Sequence, residues 1–174
     1  MPGSLGHLTR RFFDVLSAQP LDAAEVAAVE LWLDPGQAHI FFSQPDPDQR
    51  HGFDAATVVL AAETTDPAVL RAALLHDVGK RHARLGVVGR SVASVMIRLR
   101  MPLSRRGRLY RDHGETGAME LVALGAESLI VDFARNHHGA RPSGFPLETW
   151  DLLQRADEPP KTRSTVGSRI SWGS

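Results

Sequence analysis

Residues 71–83 read RAALLHDVGKRHA. An apolar run ends in His76 and Asp77, and a glycine and a lysine follow at Gly79 and Lys80. An imidazole offers one ring nitrogen to a cation and suits Fe, Zn, Ni or Mn. A carboxylate has two oxygens and can bridge two cations. Asp77 beside His76 is therefore the natural bridge of a metal site, with histidines on either side to complete the shells. The chain has eight histidines. His51 lies near the start of a predicted helix, and His113 opens another. His137 and His138 close a third, and Asp157 ends the last. Taken singly, each is more often a helix cap or a solvated side chain than a ligand. His7, His39 and His82 keep that reading. The ordered set is different, because chance would have to drop every member at a helix boundary of one small domain.

The elements that must position these residues are all helical. Ala, Leu, Arg and Glu dominate, and alternating β-branched runs are missing, so the helical period is the signal throughout. HLTRRFFDVLSA puts Leu8, Phe12, Val15 and Leu16 on one stripe, and Pro20 ends it. LDAAEVAAVELWL starts at Asp22 with Glu25 at capping-box spacing and stops before Asp34-Pro35-Gly36. PDPDQRHGFDAATVVLAAE opens with Asp46 as N-cap and Pro47 behind it. DPAVLRAALLHD repeats the device with Asp66 and Pro67. VVGRSVASVMIRLR is amphipathic, with Arg90, Arg98 and Arg100 as polar members. Two more helices cover 112–124 and 126–138, and PLETWDLLQRAD forms the last before Pro159-Pro160. The expectation is a single all-α bundle of about seven or eight helices. Gly79 and Gly139 follow two of the His-bearing helix ends. They are expected to terminate them through the left-handed conformation.

Bulk composition narrows the function. A chain of 174 residues fits one domain with a real core. Acidic and basic residues balance at 20 each, so no nucleic-acid partner is expected. The absence of cysteine excludes disulfides, thiolate metal sites and cysteine nucleophiles. The N-terminus lacks a signal-peptide core, and no window suits a transmembrane helix, so a cytoplasmic protein is expected. The sequence carries no signal of oligomeric state.

The ordered residues resemble the HD-domain superfamily of metal-dependent phosphohydrolases. His51 in DQRHGFDAATVVL is similar to the first signature, His76-Asp77 in LLHDVGK to the namesake doublet, and Asp157 in LLQRADE to the closing aspartate. His113 in YRDHGETGA and His137-His138 in ARNHHG resemble members with two or more metals. The likeness runs from about residue 48 to 158. It implies an N-terminal helical extension over 1–45 packing on the core, an HD-type metal-binding domain over 46–160, and a C-terminal tail over 161–174 whose composition suits disorder. It further implies that His51, His76, Asp77 and Asp157 hold a first divalent ion and that His113, His137 and His138 hold a second, with Asp77 between them. The ligand types do not separate Fe, Mn, Zn, Ni or Mg. Lys80 matches the lysine of the HDxGK motif, with a role in stabilising charge on a phosphoryl oxygen or assisting proton transfer; a solvated lysine past a helix end is the plainer alternative. HHGARPSGFP resembles in part the loop of HD-GYP cyclic-di-GMP phosphodiesterases. Gly139 stands where that loop has glutamate, and a plain turn before the final helix is the preferred reading.

Six arginines, Arg98, Arg100, Arg105, Arg106, Arg108 and Arg111, crowd the approach to His113. A solvated face is one reading. A phosphate-attracting rim is the other, with Arg105, Arg106 and Arg111 as substrate contacts. A membrane-surface helix ranks lower. The expected activity is hydrolysis of a small, nucleotide-like phosphate ester by a two-metal-activated water, with Lys80 and Asp77 in catalytic roles. A di-iron oxygenase with the same ligand order and a metal-containing regulatory module without turnover are the alternatives.

Overall fold

The computed structural model describes residues 19–158. The predicted helix over 8–16 and the tail over 161–174 lie outside them. The described residues form nine α-helices and one short 3-10 helix, with no strand among them. In chain order these are α1 (Ala23–Trp32), α2 (Pro35–Phe42), α3 (Asp46–Ala61), α4 (Pro67–Leu75), the 3-10 helix (Val78–Ala83), α5 (Val87–Arg98), α6 (Arg105–Arg111), α7 (His113–Ala123), α8 (Ser128–Asn136) and α9 (Leu147–Asp157). Every helix expected within this range is present.

The caps explain most boundaries. Asp22 closes a full capping box on α1: its carboxylate accepts from Ala24 and Glu25 N–H at 2.9 Å, and Glu25 accepts from Asp22 N–H at 2.8 Å. Asp66 caps α4 through Ala68 N–H at 2.9 Å. Asp46 does not cap α3. The cap position falls on Pro45, so Asp46 is already helical and makes no side-chain cap bond. It still places an acidic group in the first turn, where the helix dipole favours one.

Two helices were not anticipated. The Asp34-Pro35-Gly36 stop is also a start, because Pro35 takes the first helical position, where its missing N–H loses no bond. Helix α6 is capped by Ser104, whose hydroxyl accepts from Gly107 N–H at 3.1 Å. Its arginine-rich sequence has no apolar period to announce it.

One core joins these helices. Val29 of α1, Phe41 of α2, Val59 of α3, Leu74 and Leu75 of α4, Leu121 of α7, Phe133 of α8 and Leu153 of α9 are all fully buried in it. Helix α4 packs against α3, α8 and α9, so the apolar run before His76 is the centre of the bundle. A core helix ending in His-Asp delivers both side chains into the interior without leaving the core.

Neither Gly79 nor Gly139 adopts the left-handed backbone expected of it. Gly79 lies inside the 3-10 helix, and its role is space. A Cβ built there would lie 2.0 Å from the carbonyl oxygen of His113 and 2.7 Å from Gly117 N. Both are backbone atoms, so neither can swing aside. Gly79→Ala must therefore push α7 off the 3-10 helix. We expect a loss of about 1–3 kcal/mol or more, the range for overpacking. A lowered urea midpoint with an unchanged slope would show it; an unchanged midpoint would mean that this contact is looser than drawn.

Candidate metal centre

Four helix ends and one mid-helix residue supply the site. His76 is the C-cap of α4, and Asp77 follows it directly. His113 is the first residue of α7. His137 is the C-cap of α8, with His138 next. Asp157 is the last residue of α9, and His51 sits in the second turn of α3. His76, Asp77, His113 and His137 are buried. His51 and Asp157 are partly open, with 26% and 16% of their side chains exposed, and His138 is exposed, so one side of the site faces solvent.

These residues form two groups that share Asp77. One is His51, His76, Asp77 and Asp157; the other is Asp77, His113, His137 and His138. Within each group, one ligand atom per residue lies within 4.8 Å of all the others, close enough to hold a metal ion. The two carboxylate oxygens of Asp77 divide between them. Oδ2 faces His76 Nε2 at 3.4 Å and His51 Nε2 at 3.7 Å. Oδ1 faces His113 Nε2 and His137 Nε2, each at 3.3 Å. Asp157 Oδ1 joins the first group, at 3.0 Å from His51 Nε2 and 3.1 Å from His76 Nε2.

The backbone aims the histidines. Nδ1 of His76 donates to Ala73 O at 2.8 Å, Nδ1 of His113 to Tyr110 O at 2.6 Å, and Nδ1 of His137 to Ala134 O at 2.9 Å. A carbonyl can only accept, so each Nδ1 carries a proton. Each Nε2 then faces inward with its lone pair whenever the ring is neutral. This is the outer-shell bond that orients metal-binding histidines. Its result is visible at His113 and His137, whose Nε2 atoms face each other at 3.3 Å. Two lone pairs at that distance repel unless a cation or a proton lies between them. Asp77 Oδ1 is likewise buried without a hydrogen bond of good geometry. A donor set of imidazoles and carboxylates with these unmet lone pairs fits a divalent metal.

Electrostatics run the same way. Burial pushes the Asp77 carboxyl up, but the Lys80 ammonium and His76 hold it well below the usual range. Burial also opposes ionisation of Asp157, and His76 and the bonds from His51 and His76 overcome it. His76 loses charge stability by burial, yet Asp77 and Asp157 raise its pKa to about 10. A metal arriving at its group must displace that proton, which is the usual coupling of metal binding to proton release. Burial lowers His137. Desolvation, then His137 and Lys80, press His138 down to about 3, although the residue has exposed surface; its ring lies tilted against that of His137 with centroids 4.0 Å apart. Both shifts favour the neutral ring, the form a metal ligand requires.

Lys80 is buried and ion-paired to Asp77 Oδ2. Burial disfavours its charge, and Asp77 more than compensates, so the ammonium is kept. It is not a solvated lysine past a helix end. The Gly144-Phe145-Pro146 turn is structural. Gly144 has φ +86°, and buried Phe145 packs edge-on against Trp150 at 5.3 Å, which in turn packs on Phe133 beneath His137.

The arginines go elsewhere. Arg105 and Arg106 line a cleft with Arg81, His82 and Arg84, and no metal-site residue lines it. Arg111 is exposed and engaged by its neighbour Asp112, at 2.7 and 2.9 Å. His39 is exposed on α2, away from both groups.

Sequence reasoning missed one support of the site. Arg90 turns inward and clamps buried Asp48 with both guanidinium nitrogens, one at 2.6 Å. Asp48 lies one turn before His51, so this pair ties the helix that carries His51 to α5. The two residues are 42 apart, and no local pattern could have paired them.

The fold and site define an all-helical bundle with a buried, carboxylate-centred His/Asp cluster. Comparison with protein-family models, curated proteins and solved structures gives no match. Among the described residues, no helix is long and apolar enough to cross a membrane.

Proposed function

We propose that the chain is a metal-dependent phosphohydrolase of the HD type that acts on a small phosphate ester through two divalent ions. The observation that carries this reading is the division of Asp77, one oxygen toward each ligand group. His51, His76 and Asp157 would hold one ion with Asp77; His113, His137 and His138 would hold the other. Two such ions supply a water of lowered pKa and a Lewis-acid clamp on a phosphoryl oxygen.

The chain's own groups do the rest. The Nδ1 bonds of His76, His113 and His137 keep the rings from turning, so the site needs little reorganisation on binding. Lys80 holds a fixed positive charge beside Asp77, suited to charge that develops on a phosphoryl oxygen. The partly open edge at His51, Asp157 and His138 gives a substrate its approach.

Phosphate release is the test. Metal-free protein should be inactive against a panel of nucleotides and simple phosphate monoesters and diesters. Added manganese, iron or zinc should restore release from at least one of them, at a rate independent of oxygen. Oxygen-dependent turnover by an iron-loaded protein, without phosphate release, would turn the reading to the oxygenase. Silence from a fully metallated protein would leave the regulatory module.

A further inference from the structure

We infer that the arginine cleft beside the metal centre is a second, separate anion site, and that it takes a ligand bearing at least two linked phosphates. The cleft encloses about 590 Å³, within the range of small-molecule pockets. Arg81, His82 and Arg84 come to it from the 3-10 helix and the residue after it, and Arg105 and Arg106 from α6. No aspartate or glutamate lines it. Arg81 is paired with Glu120 from behind the wall, and the other three guanidinium groups, with no lining carboxylate, make a field that calls for an anion.

Its parts differ in how far they are already committed. Arg81 is largely buried and held by two bonds, to Val78 O at 2.6 Å and to Glu120 Oε1 at 2.7 Å. His82 reaches the same Glu120 oxygen at 2.9 Å. Glu120 thus fixes the cleft's inner wall. Arg84, Arg105 and Arg106 have no acidic partner among the described residues. Arg84 also holds a left-handed backbone, φ +46° and ψ +42°, which a non-glycine residue seldom adopts. That turn carries the chain from the 3-10 helix toward α5 while leaving Arg84 at the cleft.

The chemistry selects the ligand. A guanidinium fork matches phosphate oxygens in pairs. Three uncommitted guanidinium groups on two elements carry more positive charge than the roughly −2 of one phosphate balances, so a diphosphate is the smaller fitting unit. The ligand is small, because the arginines line an open hollow and the chain as a whole carries no net positive charge for a polymer to follow. A ligand there would join the segment that carries Lys80 to the segment that leads into His113. The inference does not depend on hydrolysis.

Calorimetry on the full chain, freed of metal by EDTA, tests it with pyrophosphate, inorganic phosphate, ADP and adenosine. Metal-free protein is the right material, since pyrophosphate would also bind metals. Pyrophosphate and ADP should bind alike, inorganic phosphate at least about tenfold more weakly, and adenosine not at all. Losing a charged hydrogen bond justifies a factor of that size. Arg105→Ala with Arg106→Ala should weaken pyrophosphate by at least about tenfold. Arg84→Gly, which suits the left-handed backbone, should do the same by itself. Arg98→Ala with Arg155→Ala removes the same charge from exposed positions outside the cleft and should change nothing. No binding at millimolar pyrophosphate would overturn the inference. So would binding that needs metal and ignores the cleft substitutions, or equal weakening by the outside pair. Binding to phosphatidylserine vesicles without binding to pyrophosphate would replace the cleft with a membrane surface, for which Val88, Val92 and Val95 of α5 and Leu99 at its C-cap stand exposed. Phosphate release has no part in these readings, so the hydrolase proposal can fail while this one stands.

Discussion

Asp77→Ala is expected to strip both ligand groups of metal at once. Asp77 is the single side chain that both groups contain. Its oxygens face opposite ways, Oδ2 toward His76 and Oδ1 toward His113 and His137. No other carboxylate can take its place, because Asp157 reaches only the first group. The substitution also leaves Lys80 buried without its partner. Breaking a buried pair by removing one side costs about 3–5 kcal/mol. Lost metal adds to this, since an ion at a thousand times its dissociation constant stabilises the native state by about 4 kcal/mol. The two effects share one residue and will not simply sum. Asp77→Asn keeps the volume and separates misfolding from lost ligation. Elemental analysis of both variants should find no more than traces. His138→Ala, at the exposed edge of the second group, should by contrast retain metal in the first. A full complement in a folded Asp77→Asn protein would sink the shared-carboxylate assignment.

Most residues of the two His/Asp groups could be read from the chain because they sit at helix ends, and helix ends are what periodicity and caps locate best. His76, His113, His137 and Asp157 all lie at boundaries predicted from Asp66-Pro67, from the apolar stripes and from Pro159. Their grouping was less legible. His51 and Asp157 are 106 residues apart, and only the packing of α9 against α3 brings them to 3.0 Å. That Asp77 could bridge was legible from its place beside His76, but which oxygen faces which histidines depends on the χ angles of one buried side chain. Glycine was misread for a related reason. Gly79 looks like a terminator in one dimension, whereas its function is to let the His113 carbonyl pass. The arginine run showed the reverse problem. Its charge was plain, but the cleft also needs Arg81 and Arg84 from a different element, so its shape was invisible.

Lys80→Met is expected to lower turnover by about 10–1,000-fold, the range for losing one preorganised charge-stabilising group. Methionine keeps much of the buried volume and removes the charge. Metal should be retained, and bound at least as tightly as before. The reason lies in the ion pair with Asp77 Oδ2. Without a metal, the ammonium is the nearest full cation to the Asp77 carboxylate, and it helps to hold that carboxylate ionised. An ion entering the site must compete with it for the same oxygen. Taking Lys80 away removes the competitor and leaves the acidic pair of Asp77 and Asp157 less well neutralised in the metal-free protein. The metal-free variant should therefore be less stable than wild type, and added metal should close most of that gap. Thermal unfolding with and without metal measures the first effect, and single-turnover phosphate release measures the second. The two readouts separate the possible roles of Lys80. A purely structural lysine would destabilise both forms and leave the rate of folded, metallated enzyme near wild type. A metal ligand in disguise would lose metal on substitution. Loss of rate with metal content intact is the outcome that a charge acting on the phosphoryl group, or a lysine assisting proton transfer, produces, and a full rate in the metallated Lys80→Met protein would remove Lys80 from the chemistry.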